Sequence, residues 1–119
     1  MTPSPPAEAS TPPGIATVYI VEDDEQVRDA LGQLMENIGF NVETFAEAAS
    51  FLELKMLNRP GCVVLDLRMP RVSGIEVLET LRARGFRIPV IMVTGYGDVN
   101  SAVRAMKAGA SDFIEKPVR

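Results

Sequence analysis

Short runs of apolar, often β-branched residues alternate along this chain with longer segments in which apolar residues recur every three or four positions. Runs of about four to eight such residues, bounded by turn-forming residues, are typical of β-strands. The five runs are TVYIV (17–21), NVETF (41–45), CVVLD (62–66), PVIMVT (89–94) and SDFIE (111–115). The pattern therefore predicts five strands.

The segments between these runs have the three-and-four spacing of amphipathic helices. On the inward face of the first helix the spacing places Val27, Ala30, Leu31, Leu34, Met35 and Ile38, before a stop at Gly39. A weaker second helix is predicted from Ala46 to Leu57. The third has Ile75, Leu78 and Leu81 on one face and ends near Gly85. The fourth runs from Asp98 to Ala108 and stops at Gly109. Its inward face is expected to contain Val99, Ala102, Val103 and Met106.

Strands that alternate with helices predict an α/β fold with right-handed parallel crossovers. The first, third and fourth strands are almost wholly apolar, which is typical of strands covered on both faces, while NVETF alternates like an edge strand. We therefore expect a doubly wound, five-stranded parallel sheet of order 2-1-3-4-5. In such sheets the working crevice lies beyond the C-terminal ends of the strands.

Composition excludes several classes of function. The net charge of −4 and the pI near 4.8 argue against a nucleic-acid footprint on this domain, because such a footprint is basic. With no histidine, the chain cannot form a Ser-His-Asp or Cys-His site or a histidine-ligated metal centre. The single cysteine, Cys62, lies in an apolar run and is expected to be a small buried thiol.

The distribution of proline divides the chain. Residues 1–14 contain five of the nine prolines and little that could form a core, so we expect a flexible leader followed by one domain over residues 15–119. There is no apolar stretch of the roughly 20 residues that cross a membrane, and no signal peptide, because the first basic residue is Arg28. A cytoplasmic location with no membrane partner is expected.

Residues whose side chains could bind a metal or take part in catalysis lie at the ends of four of the predicted strands. Four acids, Glu22 to Glu25, follow the first, Asp66 ends the third, Thr94 ends the fourth and Lys116 follows the fifth. Taken alone, a run of acids is more typical of a solvated helix start, and a lysine after a strand is often an ordinary surface residue. Because the ends of parallel strands meet at one edge, however, we expect these residues to converge.

A carboxylate at the rim of a buried sheet requires a cation, a hydrogen bond or a raised pKa, and Asp66 is in that position. Asp23 could share the cation, and the oxygen ligands favour Mg²⁺ over a dedicated calcium cage. A lysine, a hydroxyl and a cation around one carboxylate are what a transferred phosphoryl group needs. We therefore interpret Asp66 as a nucleophile.

Three stretches carry a family resemblance: IVEDDEQVR, VVLDLRMPRVSGIEVL and VTGYGDVNSAVRAMKAGASDFIEKP. Together they resemble receiver domains of bacterial two-component response regulators, especially the FixJ-like branch, over about residues 17–118. The resemblance implies a flavodoxin-like fold and a signalling switch that is not an enzyme. It also implies that a histidine kinase supplies the phosphoryl group, with Mg²⁺ or alternatively Mn²⁺ as the cation.

Carried over position by position, the resemblance makes Asp66 the phosphoacceptor. The metal ligands it implies are Asp23, Asp66 and the backbone carbonyl of Arg68. Many relatives have Asp-Asp where this chain has Glu22-Asp23, so Glu22 is expected to reach the metal through a water.

The same resemblance makes Thr94 the switch hydroxyl and Lys116 the phosphate-binding lysine. Phe113 matches the switch aromatic, although a core side chain of the last strand is an equally good interpretation. Pro117 matches a proline that such receivers join through a cis peptide bond.

Two other functions compete with this one. A hydrolase of the haloacid-dehalogenase kind also uses an aspartate, a lysine, a hydroxyl and Mg²⁺, but it needs a second aspartate two residues after the first, where this chain has Arg68. A pseudo-receiver that never accepts phosphate is the second alternative. The resemblance to the FixJ-like branch implies that the output is transcription, through a helix-turn-helix domain, although relatives with ATPase output domains share much of the same fourth-helix sequence.

The short segment after Lys116 changes which partners are expected for this domain. Receivers continue after the Lys-Pro pair into a fifth helix that shares a sheet face with the first, and only Val118 and Arg119 remain here. We therefore expect one half-bare face, a natural protein that continues past Arg119, and a fragment that associates or packs residues 1–14 on that face. The other expected partners are the kinase, a second copy through the fourth helix and fifth strand, and DNA only through an output domain absent here.

Overall fold

The computed structural model describes residues 15–95 and 98–116 and has the predicted α/β architecture. The strands are β1 (Thr17–Val21), β2 (Asn41–Phe45), β3 (Gly61–Asp66), β4 (Val90–Thr94) and β5 (Asp112–Glu115). The helices in this part of the chain are α1 (Glu25–Ile38), α2 (Ala48–Leu52), α3 (Gly74–Ala83) and α4 (Val99–Lys107). All neighbouring strands pair in parallel in the order β2-β1-β3-β4-β5, which confirms the predicted sheet.

Burial across the sheet follows the hydrophobicity of its strands. β1 is buried along its whole length and β3 and β4 are buried over most of theirs, whereas β2 and β5 form the two edges and are partly or fully exposed. The ends of the central strands are aligned, since Asp66 on β3 pairs with Val93 on β4 and Thr94 pairs with Glu115 on β5. The expectations for the leader, residues 1–14, and for the bond to Pro117 concern residues outside those described.

Two hydrophobic clusters lie on opposite faces of the sheet. The larger includes Phe51 of α2, whose ring centroid lies 6.0 Å from that of Tyr19 and 5.4 Å from that of Phe45. On the other face, Leu31 and Met35 of α1 pack on a smaller cluster of four strand residues, Val18, Ile20, Val64 and Val93.

An apolar groove of about 510 Å³ extends on that second face from α1 to β5. Its lining includes Leu31, Val93, Ile114 and Cys62. Among the described residues this face is thus incompletely covered. Cys62 is half-buried rather than buried because its side of the sheet borders this groove.

Local signals explain the ends of α1. The carboxylate of Asp24 accepts hydrogen bonds from the backbone N–H groups of Gln26 and Val27, at 2.9 and 3.2 Å, and so caps the helix. At the other end Gly39 has φ of 118°, a left-handed conformation that suits glycine, which confirms the predicted stop. Of the residues expected to face inward, Ala30, Leu34 and Ile38 are instead exposed.

The second helix is shorter than predicted, because it ends at Leu52 and not at Leu57. Beyond it, Leu54 and Leu57 pack against the larger cluster in a non-helical segment. The backbone N–H of Asn58 donates to the Tyr19 hydroxyl at 2.7 Å. Contacts distant in sequence thus outweigh local helical periodicity here.

The prediction of the inward face of α4 is only partly right. Ala102 is buried, as predicted, but Val99, Val103 and Met106 are 63%, 46% and 40% exposed. The second buried residue of the helix is Ala105. Two alanines facing the sheet let the helix approach it closely, and the larger side chains are consequently turned outward. Across the described part of the chain, we find no helix with the length and apolar character needed to cross a membrane.

Candidate functional site

The predicted site residues lie at the C-terminal edge of the sheet. Glu22 directly follows β1, Asp66 is the last residue of β3, Thr94 is the last of β4, and Lys116 follows β5. Three of them are almost completely buried: Glu22 is 2%, Asp66 3% and Thr94 1% exposed. Two buried carboxyl groups at a sheet edge need compensating partners.

Lys116 is the positively charged partner of both buried carboxyl groups. Its Nζ lies 3.4 Å from Oδ2 of Asp66 and 3.8 Å from Oε1 of Glu22. The backbone N–H of Lys116 donates to the carbonyl oxygen of Thr94 at 2.8 Å, which continues the β4–β5 pairing beyond β5. The lysine is thereby held against β4 while its side chain extends toward β3.

Burial dominates the electrostatics of the two carboxyl groups. It raises the pKa of Glu22 to about 7, with a smaller contribution from the negative charge of Asp66. Burial also raises the pKa of Asp66, against the opposing attraction of Lys116. Their mutual hydrogen bond raises the pKa of Glu22 and lowers that of Asp66. Burial opposes the charge on Lys116, but attraction to Asp66 and Glu22 outweighs it and raises the lysine pKa.

Three acids form a candidate cation site. Glu22, Asp23 and Asp66 each offer a carboxylate oxygen, and these oxygens lie within 4.8 Å of one another. Asp23 is exposed, so the cluster opens to solvent on one side. A set of hard oxygen donors with an open side fits a cation such as Mg²⁺, which keeps several waters. The backbone N–H of Arg68 donates to Oδ1 of Asp66 at 3.4 Å, which places the loop after β3 next to the cluster.

The acidic run after β1 divides into two parts. Asp24 caps α1 and Glu25 lies in its first turn, so the interpretation as a helix start holds for these two residues. Glu22 and Asp23 belong to the acidic cluster. The N–H of Asp24 also donates to Oε2 of Glu22 at 3.1 Å, which joins the two parts.

Sequence reasoning missed the role of Arg28. Its Nη1 donates to the carbonyl oxygen of Glu22 at 2.9 Å and, at 3.4 Å, to that of Asp23. The guanidinium therefore holds the backbone of the two acidic residues. A basic residue in the helical turn after four acids was the available signal.

The two proposed switch residues differ in their surroundings. The Thr94 hydroxyl oxygen is buried and has no hydrogen-bond partner among the described residues. Phe113 is 40% exposed on β5, so the interpretation of this residue as a core side chain is wrong. Its role as a switch aromatic stays a prediction.

Comparison with known proteins agrees with this geometry. A family model described as the response regulator receiver domain matches residues 18–119. The transcriptional regulatory protein FixJ of Rhizobium meliloti is 50% identical over 101 residues, which are 85% of this chain and 50% of FixJ. The response regulator protein TodT of Pseudomonas putida is 44% identical over 104 residues, covering 87% of this chain and 46% of TodT. The chain spans about half the length of the curated relatives it matches.

Solved structures show the same similarity. The crystal structure of FixJ-N matches with a TM-score of 0.81 and 48% identity, covering 87% of this chain and 83% of that one. Full-length FixJ from B. japonicum matches with a TM-score of 0.80 and 45% identity, covering 87% of this chain and 51% of that one.

Proposed function

This chain belongs to the response regulator receiver domain family, and we propose that Asp66 is the residue on which it accepts a phosphoryl group. The observation that carries the proposal is the setting of Asp66. Its carboxylate is 3% exposed at the end of a central strand, 3.4 Å from the ammonium group of Lys116 and within the acidic cluster. A buried carboxylate flanked by a cation-binding cluster and a lysine suits a nucleophile for phosphoryl transfer.

In the proposed reaction, an oxygen of the Asp66 carboxylate forms a bond to the phosphorus of a phosphohistidine on a partner histidine kinase. The phosphorus–nitrogen bond breaks, and its electron pair stays on the imidazole nitrogen. Lys116 neutralises negative charge on the transferred group, and the Thr94 hydroxyl donates a hydrogen bond to one of its oxygens.

The acidic cluster would hold Mg²⁺, or Mn²⁺, through Asp23, Asp66, the backbone carbonyl of Arg68 and, by way of a water, Glu22. A bound divalent cation supplies charge neutralisation to the phosphoryl oxygens. The three neighbouring carboxylate oxygens support this donor set.

Phosphorylation of Asp66 shifts an existing equilibrium and changes the surface formed by α4 and β5. This surface exposes the apolar residues Val103, Met106, Phe113 and Ile114, which supports a homodimer formed through it. The domain would comprise residues 15–119 after a leader of residues 1–14.

The output we propose is transcription, in the cytoplasm, through a further DNA-binding domain. Relatives that are twice as long carry the name of transcriptional regulators, which supports this output. The switch modifies itself and does not turn over a substrate. Arg68 stands where a phosphatase of the haloacid-dehalogenase kind has its second aspartate, which speaks against sustained hydrolysis of phosphomonoesters.

The test is phosphorylation with acetyl phosphate and Mg²⁺, followed by intact-mass spectrometry. We expect one added phosphoryl group on the wild-type chain and none on Asp66→Asn, because the amide is not a nucleophile. Asp29→Asn, at an exposed position of α1, is the matched control and should be modified like wild type. Equal modification of Asp66→Asn and wild type would overturn the proposal.

A further inference from the structure

An ion pair joins the loop after β3 to the start of α4. Nη2 of Arg68 lies 2.7 Å from Oδ2 of Asp98, a short charge-assisted hydrogen bond. The Arg68 side chain is 72% exposed, whereas that of Asp98 is 17% exposed. The pair thus connects a side chain surrounded by solvent to one that is held by its own helix.

Both carboxylate oxygens of Asp98 have a partner. Oδ1 accepts the backbone N–H of Ser101 at 3.3 Å and caps α4, while Oδ2 accepts from Arg68. The backbone carbonyl of Asp98 accepts from Ala102 at 3.2 Å, and its N–H donates to Gly95 at 3.2 Å. Asp98 is therefore the point at which the first turn of α4 is attached to the chain that leaves β4.

The arginine end of the pair is attached to the proposed phosphorylation site. Arg68 is two residues beyond Asp66, and its backbone N–H donates to the Asp66 carboxylate. A bridge between Arg68 and Ser73, the residue that caps α3, also holds this loop. A change at Asp66 can therefore reach α4 through one side chain.

Building on the proposed function, we propose that the Arg68–Asp98 pair is a latch that positions the first turn of α4 in the unphosphorylated arrangement. A phosphoryl group on Asp66 adds negative charge beside the Arg68 backbone and competes with Asp98 for the guanidinium, which binds phosphate well. Since the Arg68 side chain is largely in solvent, it can change partner without unpacking the core. Arg68 and Asp98 are then positioning residues that set the equilibrium of the switch.

The test uses Arg68→Gln, Asp98→Asn and the double variant in the full chain. Asparagine is as good a helix cap as aspartate, so Asp98→Asn removes the charge and keeps the cap. Arg68→Lys should largely retain the pair. Arg71 is an exposed arginine of the same loop that forms no ion pair in the described part of the chain. Arg71→Gln is therefore the control for the loss of one positive charge without the loss of an ion pair.

We expect amide hydrogen exchange at Ser101 and Ala102 in the unphosphorylated chain to rise about two- to fivefold in either single variant, the size of effect typical of one exposed ion pair. The double variant should show no further rise, because both changes break the same contact. The rate of phosphorylation by acetyl phosphate should rise by a similar factor in Asp98→Asn, which leaves the guanidinium in place, while Arg71→Gln stays close to wild type.

Unchanged exchange in Arg68→Gln, or additive effects in the double variant, would overturn the latch. Faster exchange with an unchanged phosphorylation rate would also overturn it, because the pair would then be purely structural. A wild-type chain that accepts no phosphate would instead contradict the proposed function, and the exchange measurement would still decide whether the pair positions α4.

Discussion

Glu22 offers a direct test of the electrostatics at the sheet edge, because its carboxyl group is buried and its pKa is raised. Replacement by glutamine keeps the size of the side chain and an oxygen that can accept the N–H of Asp24. It removes only the ability to ionise. Any dependence of the mutational effect on pH therefore reports the cost of charging Glu22 inside the fold.

The size of the effect follows from the pKa, which burial raises from its ordinary value of 4.5 to about 7. Each pKa unit between the folded and unfolded states corresponds to about 1.36 kcal/mol, so ionised Glu22 destabilises the metal-free fold by about 3 kcal/mol. The folded pKa is the higher one, so this stability is fully present below pH 4.5 and is lost as pH rises through 7. Glu22→Gln should therefore match wild type in acid and exceed it by up to about 3 kcal/mol in mild alkali.

The assay is urea unfolding with a chelator present, followed by far-UV circular dichroism across that pH range. Glu36→Gln, at an exposed position on α1, is the matched control and should show no such dependence. A Glu22→Gln variant that is no more stable than wild type at alkaline pH would refute the reasoning. So would a stability difference that is the same in acid and in alkali.

Two further predictions concern the acidic cluster and the backbone behind it. Asp23→Ala should weaken Mg²⁺ binding, measured by calorimetric titration, with little loss of stability because this side chain is exposed; unchanged affinity would place the metal elsewhere. Gly74→Ala should destabilise by about 1–3 kcal/mol in urea unfolding, because its Cβ would lie 2.5 Å from the carbonyl oxygen of Asp66. Gly32→Ala, whose Cβ would meet only side chains at ordinary contact distance, should be neutral or stabilising by up to about 1 kcal/mol, and equal losses in both variants would contradict the argument.

The sequence alone determined the sheet and the gathering of residues at its edge. Apolar runs covered on both faces must be central parallel strands, and parallel strands that leave the core together bring their final residues to one edge. Glu22, Asp66 and Lys116 could therefore be assigned to one place from their positions after strands. Helix ends such as the one at Gly39 could also be predicted, because they depend on only a few neighbouring residues.

Only the tertiary structure decided where periodic segments stop and which way they face. A helical period does not tell whether Leu54 is better buried within α2 or beyond it, and the packing on the larger cluster placed it beyond. The same holds for α4, where close approach to the sheet selected Ala105 and left Val103 outside. The raised pKa of Glu22 and the ion pair between Arg68 and Asp98 could likewise not be predicted from the sequence. Burial, and partners many residues away, determine both, and neither exists until the chain has folded.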